Sequence, residues 1–383
     1  MVFQAATATE EILATLVGFP SVSSESNLPI LDWIERYLLD CGFACKRLPN
    51  ADGTKAGLLA RFGPAKDGGI LLSAHSDVVP VQGQRWTHEP FVLSRDGDRL
   101  FGRGTSDMKG FLASVLAMAS DSSGRELKHP LMISISYDEE VGCLGIRNML
   151  PGLFPFFNRP RWCLVGEPTN MVIATGHKGK AVYRATCMGV GGHSAMAPDY
   201  CNAIHLAADF VLALRNEQRW LQTSGVNDPA YDIGYSTVHA GMIKGGDAIN
   251  VVPAMATIDF EIRHLAEEPA SEVLARIEAA ARNIAAASHP AAAITIVEIN
   301  AYPGLELPPD DPVVAEVGAL LGHSKTRKVA FGTEAGYFAG LSIPTVVCGP
   351  GSMAQGHQPD EFIDELELVQ FDEFLSRLLA SLM

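Results

Sequence analysis

Apolar residues recur along this chain in two rhythms, and the change between them divides it into three parts. In residues 1–178, EEILATLVGF (10–19) and LPILDWIERYLLDCG (28–42) carry apolar residues at helical spacing, while GLLARFG (57–63) and GILLSAHSDVV (69–79) read as strands. FLASVLAMAS predicts a helix, LMISISY a strand, VGCLGIRNMLPG (141–152) a short helix and RWCLVG a strand. Short β-rich apolar runs separated by helices predict an α/β fold around a buried, mostly parallel sheet. From 179 to 300 the order becomes strand, long amphipathic helix, two strands, second long helix, strand. That is the βαββαβ order of a ferredoxin-like α+β domain. Residues 301–383 return to the first rhythm with PTVVCG and ELVQFDEFLSRLLASL. At 383 residues the chain is long for one core. The predicted organisation is a large α/β domain in two parts, 1–178 and 301–383, with an insert at 179–300.

The formal net charge of −15 leaves no basic face to neutralise phosphates, which argues against a nucleic-acid partner. It suits cationic small molecules, and solubility alone also accounts for it. No uninterrupted apolar stretch reaches the roughly 18 residues that span a bilayer. The start lacks a cationic leader and carries Glu10 and Glu11 where a signal peptide would be apolar. The seven cysteines are odd in number and lack zinc-finger spacing, so reduced buried thiols are expected. The compartment read from these features is the cytoplasm.

Polar groups of one chemical kind recur at the downstream ends of the strands. They are His75 and Asp77 in ILLSAHSD, Glu139 and Glu140 in LMISISYDEE, Glu167 in RWCLVGEPT, and His357 in PTVVCGPGSMAQGH. Asp107 in GRGTSDMKG stands just before an apolar helix. Ligands of open α/β sheets bind beyond the carboxyl ends of the strands, so these residues point to one shared site. Two histidines with three or more carboxylates suit a pair of divalent ions, zinc above all, although cobalt and manganese accept the same donors.

Each motif also has a plainer reading. His75 and Asp77 project from the same strand face, either as a buried polar pair or as a ligand with the acceptor that orients it. Asp107 is either the cap of a helix starting near Lys109 or a bridging carboxylate, with Gly102 and Gly104 permitting close approach. Glu139 and Glu140 can serve one cavity only where the strand has ended, and Gly142 and Gly145 fit such a break. Otherwise they form a solvated acidic turn. Two divalent ions, three carboxylates and one hydroxide make a neutral set, which leaves Glu139 over as a base for a water's proton. The acidic cluster Asp360, Glu361, Asp364, Glu365 and Glu367 reads as a solvated turn and helix start. Lys178 and Lys180 read either as marking the hinge to the insert or, by default, as solvent-facing.

At SAHSDVVP, GRGTSDMKG, SYDEEVGCLG, GEPTNM, GGHSA, NVVP and GHQPDEF the chain resembles the dinuclear-zinc aminoacylase and carboxypeptidase family of metallohydrolases. The resemblance implies that His75, Asp107 and Glu167 hold one metal ion. Asp107, Glu140 and His357 would hold the other, with Asp107 bridging, Asp77 orienting His75, and Glu139 the general base. It implies that His193, from the insert and in many members from a partner subunit, stabilises the oxyanion, so the active form would be a homodimer. Asn250 and Arg263 would contact a substrate carboxylate. GEPTNM, GHKGK and FGTEAGYFAGLSIPTVVCGPG resemble the branch that hydrolyses N2-acetyl-L-ornithine; for that substrate charge complementarity alone would pair Glu334 with the ammonium, and a structural loop glutamate is the other reading. A desuccinylase, an aminoacylase, a dipeptidase and a non-catalytic metal-binding relative are the alternatives.

Overall fold

The computed structural model describes residues 7–383 and divides them into two units. The reading of residues 1–6 as leaderless lies outside the described residues.

The first unit comprises the chain up to Gly176, Glu306–Arg327 and Thr333–Met383. Its sheet runs, in spatial order, Ala44–Pro49, Ala56–Phe62, Leu131–Ser136, Ile70–His75, Trp162–Val165, Thr345–Val347 and Ile173–His177. The Leu131, Ile70, Trp162 and Thr345 strands form a parallel centre. The strands flanking them pair antiparallel, so the sheet is mixed with a parallel middle. The central strands are buried on both faces, which is why their sequences run apolar without alternation. On one face Ile70, Leu72 and Ala74 join a core with Phe111, Leu112, Val115, Phe371 and Leu375 from helices Gly110–Ser122 and Glu365–Ser381. Each large apolar side chain buried there contributes about 1.5–3 kcal/mol. Helices Leu144–Phe157 and Ala335–Gly340 pack against strands of the same sheet. The first of these runs five residues past the stop expected at Pro151-Gly152. Burial of Met149, Leu153 and Phe157 offsets the prolines' missing donors.

The second unit comprises His177–Leu305 and Lys328–Gly332. Its four-stranded sheet has the order Thr237–Gly245, Met255–His264, Gly179–Met188, Ala293–Tyr302, antiparallel throughout. Helices Ala203–Ser224 and Ala270–Ser288 place Phe210, Leu214, Val273 and Ile277 against Ala185, Ile258 and Phe260. This is the ferredoxin-like arrangement. Among the described residues no helix is long and apolar enough to cross a membrane.

Candidate active site

Because the Leu131, Ile70 and Trp162 strands are parallel neighbours, their carboxyl ends open on one edge of the sheet. His75 closes its strand, Glu139 and Glu140 follow Ser136 after a short turn, and Glu167 follows Val165. Glycines let the backbones meet there. A Cβ on Gly349 would lie 2.3 Å from the Gly166 carbonyl oxygen, and one on Gly145 would lie 2.0 Å from that of Tyr137. His357 differs from the expectation: it lies in a loop well past the strand Thr345–Val347.

Asp107 does not cap a helix. It sits in an irregular turn at φ −123°, ψ 96°, and the regular helix begins only at Gly110. Its Oδ1 lies 3.2 Å from His75 Nε2 and its Oδ2 3.3 Å from His357 Nε2. Glu167 Oε1 is 3.8 Å from His75 Nε2, and Glu140 Oε2 is 2.9 Å from His357 Nε2. These contacts outline two nests, Asp107 and Glu167 about His75 and Asp107 and Glu140 about His357, that share one carboxylate and are not separate, since donor atoms of His75, Asp107 and Glu140 also lie within 4.8 Å of one another. Donors around a tetrahedral ion with bonds of about 2.0–2.1 Å stand roughly 3.3 Å apart, so these separations and this N/O set fit divalent metals. Glu139 is close by, with a carboxylate oxygen within 4.8 Å of donor atoms of His75 and Glu167.

The cluster is rich in negative charge. Burial pushes Glu140 up to about 7, and Asp107 adds to the shift. Burial, then carboxylate neighbours, hold Glu139 and Glu167 well above the usual range. Burial also opposes ionisation of Asp107, yet hydrogen bonds from His357 and His75 keep it low. Cations among these groups would relieve that repulsion.

Asp77 does more than the sequence suggested. His75 Nδ1–H donates to its main-chain carbonyl at 2.8 Å, and one carboxylate oxygen stands 3.6 Å from the same nitrogen. With one proton held on Nδ1, Nε2 is the atom turned to Asp107 and Glu167, and its lone pair would be available to an ion bound between them. The Asp77 carboxylate also accepts from Ser23 Oγ at 2.7 Å and from the N–H groups of Glu139 and Glu140 at 3.2 and 3.3 Å. It therefore shapes the glutamate turn as well as the histidine. Ser23 carried no sequence signal. The solvated reading of Glu361 is corrected: the side chain is 1% exposed and accepts from the N–H groups of Gly104, Ser106 and Asp107. Gly104 reaches its donating position at φ +86°, which favours glycine. Glu334 is buried, is pushed up to about 7 by that burial, and its Oε1 has no hydrogen-bond partner among the described residues. Ser73 lies on the same strand face as His75, and Ser136 pairs in register with His75, so polar groups line the sheet beside Glu334.

In the second unit, His193 pairs with Val251 in a two-residue ribbon, and the Asn250 carbonyl accepts from Ser194 N–H at 3.1 Å. Ala195 N–H donates to His193 Nδ1 at 3.1 Å, so the neutral ring carries its proton on Nε2. His193 and Asn250 are therefore neighbours. Arg263 is not with them. It pairs with Lys180 at the far end of the strand that starts at Met255, and its Nε donates to Glu261 at 2.9 Å. Eight residues of extended strand separate those ends by roughly 25 Å. Lys178, expected in solvent, is buried and donates to the carbonyls of Ile233 and Tyr235.

Residues 71–381 match the peptidase family M20/M25/M40. The chain is 34% identical to the acetylornithine deacetylase of Proteus mirabilis, across 97% of this chain and 96% of that one. The fold is similar to that of an M20 family metallo-carboxypeptidase from Sulfolobus solfataricus, with a TM-score of 0.78, 16% identity, and 98% and 99% of the two chains covered. A dinuclear metal-binding peptidase from Bacillus subtilis superposes with a TM-score of 0.71 at 18% identity, over 98% and 97% of the chains. Sequence along nearly the full length and fold agree: the chain belongs to peptidase family M20/M25/M40 and is a metal-dependent hydrolase.

Proposed function

We propose that this chain is a dinuclear metal amidohydrolase that converts N2-acetyl-L-ornithine to L-ornithine and acetate in the cytoplasm. Asp107 carries the reading, with one oxygen turned to each of two histidines and a glutamate completing each nest. Divalent ions held there, zinc or cobalt, would polarise the amide carbonyl and make a water more acidic. Glu139 takes the proton from the attacking water and delivers it to the leaving nitrogen as the C–N bond breaks. The water's oxygen ends in acetate, and the freed amine is that of ornithine. His193, with its proton on Nε2, offers an N–H to the developing oxyanion. Arg263, through its guanidinium fork, and Asn250 hold the substrate carboxylate, and Glu334 pairs with its ammonium. The substrate choice is supported by the acetylornithine deacetylases among the relatives and by the acidic charge balance.

The homodimer is part of the proposal. Within one copy, His193 with Asn250 and Arg263 occupy opposite ends of the small sheet, far beyond the length of an acetylated amino acid. A second copy supplying His193 and Asn250 removes the conflict.

The test is product release from a panel of N-acylated amino acids after zinc addition. N2-acetyl-L-ornithine should give the highest kcat/KM, and Glu139→Ala should lower kcat by about 10²–10⁴-fold while metal binding persists. Faster succinate release or peptide cleavage would move the chain to another branch of the family. No turnover with metal bound would leave a binding protein.

A further inference from the structure

His357 differs from the other candidate ligands in how it is held. Its side chain is 48% exposed, its backbone sits at φ +64°, and it belongs to no helix or strand. A half-exposed ligand on a loop needs support from its neighbours if its nitrogen is to stay beside Asp107 and Glu140.

Asp360, which accepts from Thr87 and His88, ties down the same loop three residues on, and at His357 itself the support comes through one amide. Gln84 Nε2 donates to the His357 carbonyl oxygen at 2.8 Å. Its Oε1 accepts from Trp86 Nε1 at 3.0 Å and from Arg103 Nη2 at 2.5 Å. Two donors on the oxygen fix which way the amide points, so the NH₂ group faces His357. Arg103 is itself buried, donates to Glu361 at 2.7 Å and to the Gln358 carbonyl at 3.2 Å, and stacks over Trp86 with 4.9 Å to the ring centre. Glu361 receives the N–H groups of the Asp107 turn. One continuous set of contacts thus runs from the His357 backbone through Gln84, Arg103 and Glu361 to the Asp107 backbone. Gln84 is the member of that set that touches the His357 backbone and no residue of the Asp107 turn.

We infer that Gln84 is a positioning residue for the nest formed by Asp107, Glu140 and His357: it fixes the His357 loop and so sets that nest's affinity for its ion, without acting on the His75–Asp107–Glu167 nest. The inference rests on the two-ion reading above. It predicts a split between the two ions that a merely stabilising loop contact would not produce.

The experiment compares wild type, Gln84→Ala and Gln84→Glu as full-length, chelator-treated protein, titrated with cobalt by calorimetry and melted without metal. Gln84→Glu keeps the shape and the acceptors for Trp86 and Arg103, but sets an oxygen against the His357 carbonyl. Wild type should bind two equivalents. Both variants should bind one equivalent with wild-type affinity and the other about 10–100-fold more weakly. Acetate release should fall at limiting cobalt and recover when cobalt saturates. Unchanged affinities with a lower Tm would show a fold contact only and overturn the inference, as would equal weakening of both equivalents. A wild type that takes up a single equivalent would instead overturn the two-ion reading beneath it, and the inference with it.

Discussion

Asp77 and Asp107 are both buried, and His75 helps to hold both ionised. Asp77 resists the cost of burial through His75, with Ser23 and a backbone N–H that are not candidate ligands adding to it. Asp107 depends on His357 and His75, both candidate ligands. Glu334 has weaker help: burial outweighs Ser136, His75 and Ser73, which favour its charged form, and pushes it up to about 7. A carboxyl buried beside Ser73 and Ser136, with one oxygen unpaired, fits either pairing with the substrate ammonium or support of the polar sheet face beneath His75. Glu334→Gln separates these roles by steady-state kinetics. Ammonium pairing predicts a KM for acetylornithine raised about tenfold or more, with an acetylated neutral amino acid unaffected. A supporting role predicts kcat lowered alike on both substrates, and that result would remove the pairing.

The strand ends gather the site because their backbones pack without side chains between them. At Gly349 the space for a Cβ is taken by the Gly166 carbonyl, which is main chain and cannot turn aside. Gly349→Ala should therefore cost about 1–3 kcal/mol in denaturant unfolding, and it should weaken cobalt binding because Glu167 follows Gly166 directly. Gly340→Ala serves as the control, since nothing lies within 4 Å of its Cβ. Its stability should stay within about 1 kcal/mol of wild type. Equal losses in the two variants would refute the packing argument.

For the molecule as a whole, the proposed dimer makes a prediction that a monomer cannot meet. Glu139→Ala and His193→Ala proteins should each be inactive alone. If His193 serves the partner's site, a mixed dimer contains one site carrying both substitutions and one carrying neither. Unfolding and refolding the two variants together should then restore about a quarter of wild-type activity, because half of randomly assorted dimers are mixed. No recovery, with mixed dimers shown to form, would place His193 in its own chain's site.

Much of this was legible along the chain. Apolar runs with helical or strand spacing marked the main elements, and the candidate ligands His75, Glu140 and Glu167 stood at or just past strand ends because parallel neighbours must open on one edge. Family motifs in order then attached roles to those positions. What the sequence did not reveal were residues whose meaning depends on partners far away in number. Glu361 looked like solvated acid, but a buried carboxylate is recognised only by the backbone donors that surround it, here 254 to 257 positions earlier. Gln84 reaches His357 across 273 positions. Local pattern fixes which elements form, since spacing decides which face is apolar. Only tertiary packing decides which polar side chains lose water, and a side chain that loses water must find its partner within the fold.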